Sequence, residues 1–88
     1  MKRKYVFNWY KNVRHGEPMI RKNSIDLIKP TGKVEYDAKA ALQIFMANFG
    51  NLHKNTIISI KELDENGEQI GEDIRPSAKE NAIIPAGR

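Results

Sequence analysis

Along the first stretch of the chain, Tyr5, Phe7 and Trp9 fall on one side of a pleated strand, and Val6, Asn8 and Tyr10 fall on the other. This alternation, with its aromatic and β-branched residues, predicts a first strand over about residues 3–13. His15-Gly16-Glu17-Pro18 reads as a turn, followed by a second extended stretch from Met19 to Ile28. Pro30-Thr31-Gly32 supplies another turn, since proline pre-sets φ and glycine tolerates positive φ. A short extended piece from Lys33 to Tyr36 is expected to pair back across it.

The period then changes from two to 3.6. Ala38, Ala41, Leu42, Phe45, Met46 and Phe49 recur at helical spacing, which predicts a helix over 38–49. Asp37 is placed to cap its first turn, and Gly50 to end it. Thr56 to Lys61 is dense in β-branched residues and reads as a strand. Asn66-Gly67 then signals a hairpin. A two-residue turn there would set Leu63 opposite Ile70 and Lys61 opposite Glu72, whereas a three-residue loop with a bulge would shift that register. From Pro76 onward the periodicity fades.

These elements give an α+β class of ββαββ-like order: a mostly antiparallel sheet of four to five strands, with one helix packed on one face. Residues 1–75 are expected as one domain and 76–88 as a flexible tail. The expected core is Val6 or its neighbours, Ile25, Leu27, Leu42, Phe45, Phe49, Ile58 and Ile60. A chain of 88 residues builds one modest core, burying roughly 60–65% of its unfolded surface.

Composition narrows the chemistry. No cysteine is present, so disulfides and thiolate metal sites are excluded, and a reducing cytoplasm is the expected compartment. Met1-Lys2-Arg3-Lys4 could head a signal peptide, but Asn8, Lys11, Asn12 and Arg14 interrupt the apolar run that such a peptide needs. No run is long enough for a membrane span, so no membrane association is expected. Frequent isoleucine, lysine and asparagine point to a bacterial, AT-rich origin.

The net charge of +4 is unevenly spread: residues 1–33 hold nine Lys or Arg against Glu17 and Asp26, while acids outnumber bases in the remainder. A basic segment that carries aromatic residues is a candidate nucleic-acid surface, with Lys11, Arg14, Arg21 and Lys22 as its phosphate contacts. Tyr5, Phe7 and Trp9 are read as core rather than as a stacking platform. The helix side carrying Ala40, Gln43, Ile44 and Ala47 has few charges, making it the candidate surface for a protein partner or a second copy.

No enzyme is expected. His15 and His53 stand apart in two loops, and Ser24, Ser59 and Ser77 lack a glycine-flanked nucleophile turn. Glu62, Asp64, Asn66, Gly67 and Asp73 match part of a calcium-loop spacing. The first position is not aspartate, the last is not glutamate, and a strand stands where the motif needs a helix. The sequence therefore predicts no metal, no cofactor and no small-molecule substrate. The expected function is a small binding module, with nucleic acid and protein as the competing partners.

Overall fold

The computed structural model describes residues 2–77 and 82–85. In chain order the elements are β1 (Arg3–Lys11), β2 (Arg21–Leu27), α1 (Val34–Phe49), β3 (Asn55–Leu63), β4 (Ile74–Ser77) and β5 (Ala82–Pro85). The strands form one antiparallel sheet in the order β2-β1-β3-β4-β5. The class is α+β, as the pattern predicts. The described part of the segment expected as a tail contributes to β4 and forms β5, while residues 78–81 and 86–88 lie outside the described residues. Its Ala82-Ile83-Ile84 run is short but suited to a strand. Pro76 has no amide to offer β3, and β3 pairs with β4 only at Ile60 and Ile74.

The two faces of β1 part as their alternation predicts. Tyr5, Phe7 and Trp9 are buried on the helix side with Ile25, Ala38, Ala41, Leu42, Phe45, Ile57, Ile60 and Ile74. Phe45 is the hub of this core. Its ring stacks on Phe7 with centroids 4.7 Å apart, and Trp9 meets it edge-on at 5.1 Å. Offset and edge-to-face pairs such as these match the positive edge of one ring to the negative face of another.

One expected core position is corrected. The β1–β3 register pairs Asn8 with Ser59 but Trp9 with Ile57, so Ile58 is the extra residue of a β-bulge. The bulge reverses the alternation, so Ile57 turns into the core and Ile58 is left half-buried. Leu27 and Phe49 pack partly buried against the core cluster.

The helix begins earlier than expected, because residues 34–36 form its first turn instead of an extended piece. Asp37 is not its N-cap. Lys33 holds that position, and the Asp37 carboxylate reaches back to accept from the Thr31 amide at 2.7 Å, the Thr31 hydroxyl at 2.8 Å and the Gly32 amide at 3.0 Å. These donors hold the preceding turn against the first helical turn, where negative charge also suits the helix dipole. At the other end Gly50 donates its amide to Met46 and has φ 109°, and an added Cβ would lie 3.1 Å from Asn55 Nδ2.

Between β3 and β4 the chain takes the three-residue loop. The Gly67 amide donates to the Asp64 carbonyl, Gly67 has φ 83°, and Leu63 pairs with Gln69 rather than Ile70. Lys61 consequently meets Asp73, 3.8 Å away, in place of Glu72.

Candidate nucleic-acid interface

The basic first third of the sequence divides in space. Strand pairing sets Arg3 beside Leu27 at one end of the sheet, and Trp9 beside Arg21 and Lys11 beside Asn55 at the other. Lys11, Arg14, Arg21 and Lys22 are therefore brought together at the end carrying the β1–β2 loop, and all four are exposed. Lys2, Arg3, Lys4, Lys29 and Lys33 belong to the opposite end, shared with Asp26, Glu35, Asp37, Glu62, Asp64 and Glu65.

A fifth cation joins the basic end, which the sequence does not reveal. Asn12 donates its backbone amide to the Lys54 carbonyl at 2.8 Å and its side-chain amide to the His53 carbonyl at 3.0 Å, and its side-chain oxygen accepts from the Thr56 hydroxyl at 2.6 Å. Asn51 fixes the same loop from the other side, its side chain accepting from the His53 and Lys54 amides. Exposed Lys54 is thereby held beside the end of β1. The only sequence signal was an asparagine-rich turn, Asn51 to Asn55, whose partner across the chain was invisible.

Among the described residues, Glu17 is the one acid of the β1–β2 loop, and no carboxylate lies within ion-pair distance of Lys11, Arg14, Arg21, Lys22 or Lys54. Arg21 instead lies 5.4 Å from the Trp9 ring centroid. Trp9 itself is 1% exposed, and its indole N–H donates to Asn23 Oδ1 at 2.8 Å. With its surfaces taken by Phe45, Phe49 and Arg21, it is a core ring.

The opposite end handles charge differently. The buried Tyr5 hydroxyl donates to Glu62 at 2.5 Å, and the Arg3 guanidinium lies 3.7 Å from the same carboxylate. Burial, then the Glu62 hydrogen bond and charge, push the Tyr5 phenol far above its ordinary pKa, so it stays a neutral donor. Burial alone would raise the pKa of Asp37, but the Thr31 and Gly32 hydrogen bonds outweigh it. With help from Arg3 they hold the carboxyl below its ordinary value. Outside this network an open depression of about 710 Å³ lies between Lys2, Lys4, Asp26 and the 63–67 turn.

The segment resembling a calcium loop is a hairpin. Asp64 Oδ1 accepts from the Asn66 and Glu68 amides, and Asp73 accepts from Gln69. Among the described residues no three His, Asp or Glu side chains are grouped to hold a metal. His15 and His53 are exposed in separate loops, and Ser59 accepts a hydrogen bond from Asn8. Ser24 is exposed on the edge strand β2, and Ser77 ends β4. On α1, Ala40 is half-buried and Gln43, Ile44 and Ala47 are exposed. Among the described residues no helix is long and apolar enough to cross a membrane.

Comparison with protein families, with curated proteins and with solved structures finds no match for this chain.

Proposed function

We propose that this chain is a non-enzymatic cytoplasmic module that binds nucleic acid through its basic end. The observation that carries the reading is the gathering of exposed Lys11, Arg14, Arg21, Lys22 and Lys54 around a loop whose one acid is Glu17. Such a cluster holds condensed charge that phosphate oxygens can neutralise, with release of counterions from the nucleic acid. The cysteine-free composition favours a reducing compartment.

Fluorescence anisotropy with short labelled DNA and RNA, started at about 50 mM salt where the electrostatic term is strong, tests the reading. If about four phosphates are neutralised, log affinity falls with log salt at a slope of roughly −3 to −4. Absence of binding to every probe refutes it.

A second reading, contact with a protein partner or a second copy, is favoured by Ile44, which is 38% exposed on the helix face of Ala40, Gln43 and Ala47. Light scattering behind a sizing column reports self-association. Ile44→Glu should dissociate a dimer formed there, because the new charge would be buried without a partner.

A further inference from the structure

We propose that the nucleic acid held at the basic end is single-stranded and crosses the face of the sheet turned away from the helix, with one base stacked on the ring of Tyr10. This inference rests on the nucleic-acid reading above and specifies what that site takes.

The argument starts from where the aromatic rings are. Tyr5, Phe7, Trp9 and Phe45 are buried, and Phe49 packs against them. Tyr36 is 61% exposed, but it lies at the first turn of α1 with the Lys33 ammonium 5.7 Å from its ring centroid. Tyr10 differs from all of these. It follows Lys4, Val6 and Asn8 on the face of β1 turned away from the helix, it is half-buried, and the neighbouring row of that face carries Lys22, whereas Lys11 and Arg21 share the face of Trp9. A ring that keeps part of its surface in water on a sheet face that carries exposed Lys22 has the two properties that a single-strand platform needs.

The rest of this face continues the path. Cross-strand pairing places Lys22, Asn8 and Ser59 in one row and Ser24, Val6 and Lys61 in the next. Arg75 follows Ile74, which faces the core, so alternation puts exposed Arg75 on the open face of β4. Among the described residues, unpaired cations thus occur on β2 and β4, separated by three inter-strand gaps of about 4.8 Å each, or roughly 14 Å, with Lys61 of β3 between them ion-paired to Asp73 at 3.8 Å. Between them exposed Ser24 and half-buried Asn8 and Thr56 present polar groups, and half-buried Ile58 apolar surface, while Val6 and Ser59 are buried beneath their neighbours. Asp26, paired with Lys4, limits the cationic path at the far end. In a duplex the base faces are occupied by their neighbours, whereas a single strand can turn a base face onto Tyr10.

The test compares oligothymidylate, an oligouridylate of the same length and a matched duplex against the protein and its Tyr10→Phe, Tyr10→Leu, Arg75→Glu, Lys11→Ala and Lys54→Ala variants. Single strands should bind at least tenfold tighter than duplex. Tyr10→Phe should stay within about twofold of the parent, and Tyr10→Leu should weaken binding about tenfold while leaving the salt slope unchanged, since a stack carries no counterion release. Arg75→Glu should weaken single strands and lower the magnitude of the slope. Melting curves keep folding separate, and because Arg75 is exposed its variant carries the test should Tyr10→Leu prove unstable. Equal or tighter duplex binding overturns the inference, as does a Tyr10→Phe loss equal to that of Tyr10→Leu, or indifference to Arg75→Glu. Binding that responds to Lys11 and Lys54 but to neither Tyr10 nor Arg75 sinks this inference alone, whereas no binding to any probe sinks the parent reading.

Discussion

The two ends of the sheet use their charged residues in opposite ways. At the end holding the β3–β4 turn, Glu62 is met by Tyr5 and Arg3, Asp37 by Thr31 and Gly32, and Asp64 by two amides of its own turn. Charge there is taken up by neighbouring side chains and turn amides. At the end holding the β1–β2 loop, residues 11–20 are all exposed, and the hydrogen bonds that anchor the loop come from Asn12 rather than from any cation. The lesson is physical: a charge already satisfied within the fold has little left for a ligand, whereas an exposed and unpaired cluster keeps its full field for one.

The largest expected effect lies beneath the basic loop, not in it. Trp9→Ala should cost roughly 3–5 kcal/mol in denaturant melts, because it empties the space between Phe45, Phe49 and Arg21. A loss under about 1 kcal/mol would mean that the indole is not part of the core, and the contrast between loop and base would fail.

Next in size is the network at the opposite end. Asp37→Ala should cost about 2–3 kcal/mol, since it strands the donors of Thr31 and Gly32 that the carboxylate now satisfies. The pH dependence follows from the direction of the Asp37 shift. A carboxyl whose folded pKa lies below its unfolded value contributes fully above the unfolded pKa, about 3.9, and its contribution is lost as pH falls through the folded value. Parent protein should therefore lose stability on acidification below about pH 4, and Asp37→Asn should remove that component. Identical acid profiles for the two would show that the carboxylate is not holding the turn.

Smaller effects separate the two hairpins. Gly67→Ala should cost about 1 kcal/mol, because φ 83° in a hydrogen-bonded turn strains any residue with a Cβ. Arg14→Ala in the exposed loop should change stability by less than about 0.5 kcal/mol. Equal losses at these two positions would erase the distinction between a fixed turn and a loop whose charges are free.

Much of this fold was legible because hydrophobic periodicity reports local structure directly. The two faces of β1 and the helix around Phe45 follow from spacing alone, and the hairpin follows from the turn chemistry of Asn66-Gly67. What the sequence hid depends on partners distant along the chain. The bulge at Ile58 exists only in the pairing of β3 with β1, so simple alternation assigned Ile58 to the core in place of Ile57. Asp37 looked like a helix cap because its reach back to Thr31 requires the intervening turn to be folded. Lys11, Arg14, Arg21 and Lys22 were identifiable from charge density. Lys54 was not, since its place depends on hydrogen bonds from Asn12, more than forty residues away. The charge asymmetry of the sequence also misled in part: Lys29 belongs to the basic third yet follows β2 at the acidic end.

That last point gives the most direct test of the central claim that the fold, and not the run of sequence, makes the binding surface. The measurement is the salt dependence of single-strand binding for the parent, Lys54→Ala and Lys29→Ala. Lys54→Ala should reduce the magnitude of the slope by about one, and Lys29→Ala should leave it unchanged. A slope that responds to Lys29 and ignores Lys54 would contradict the account.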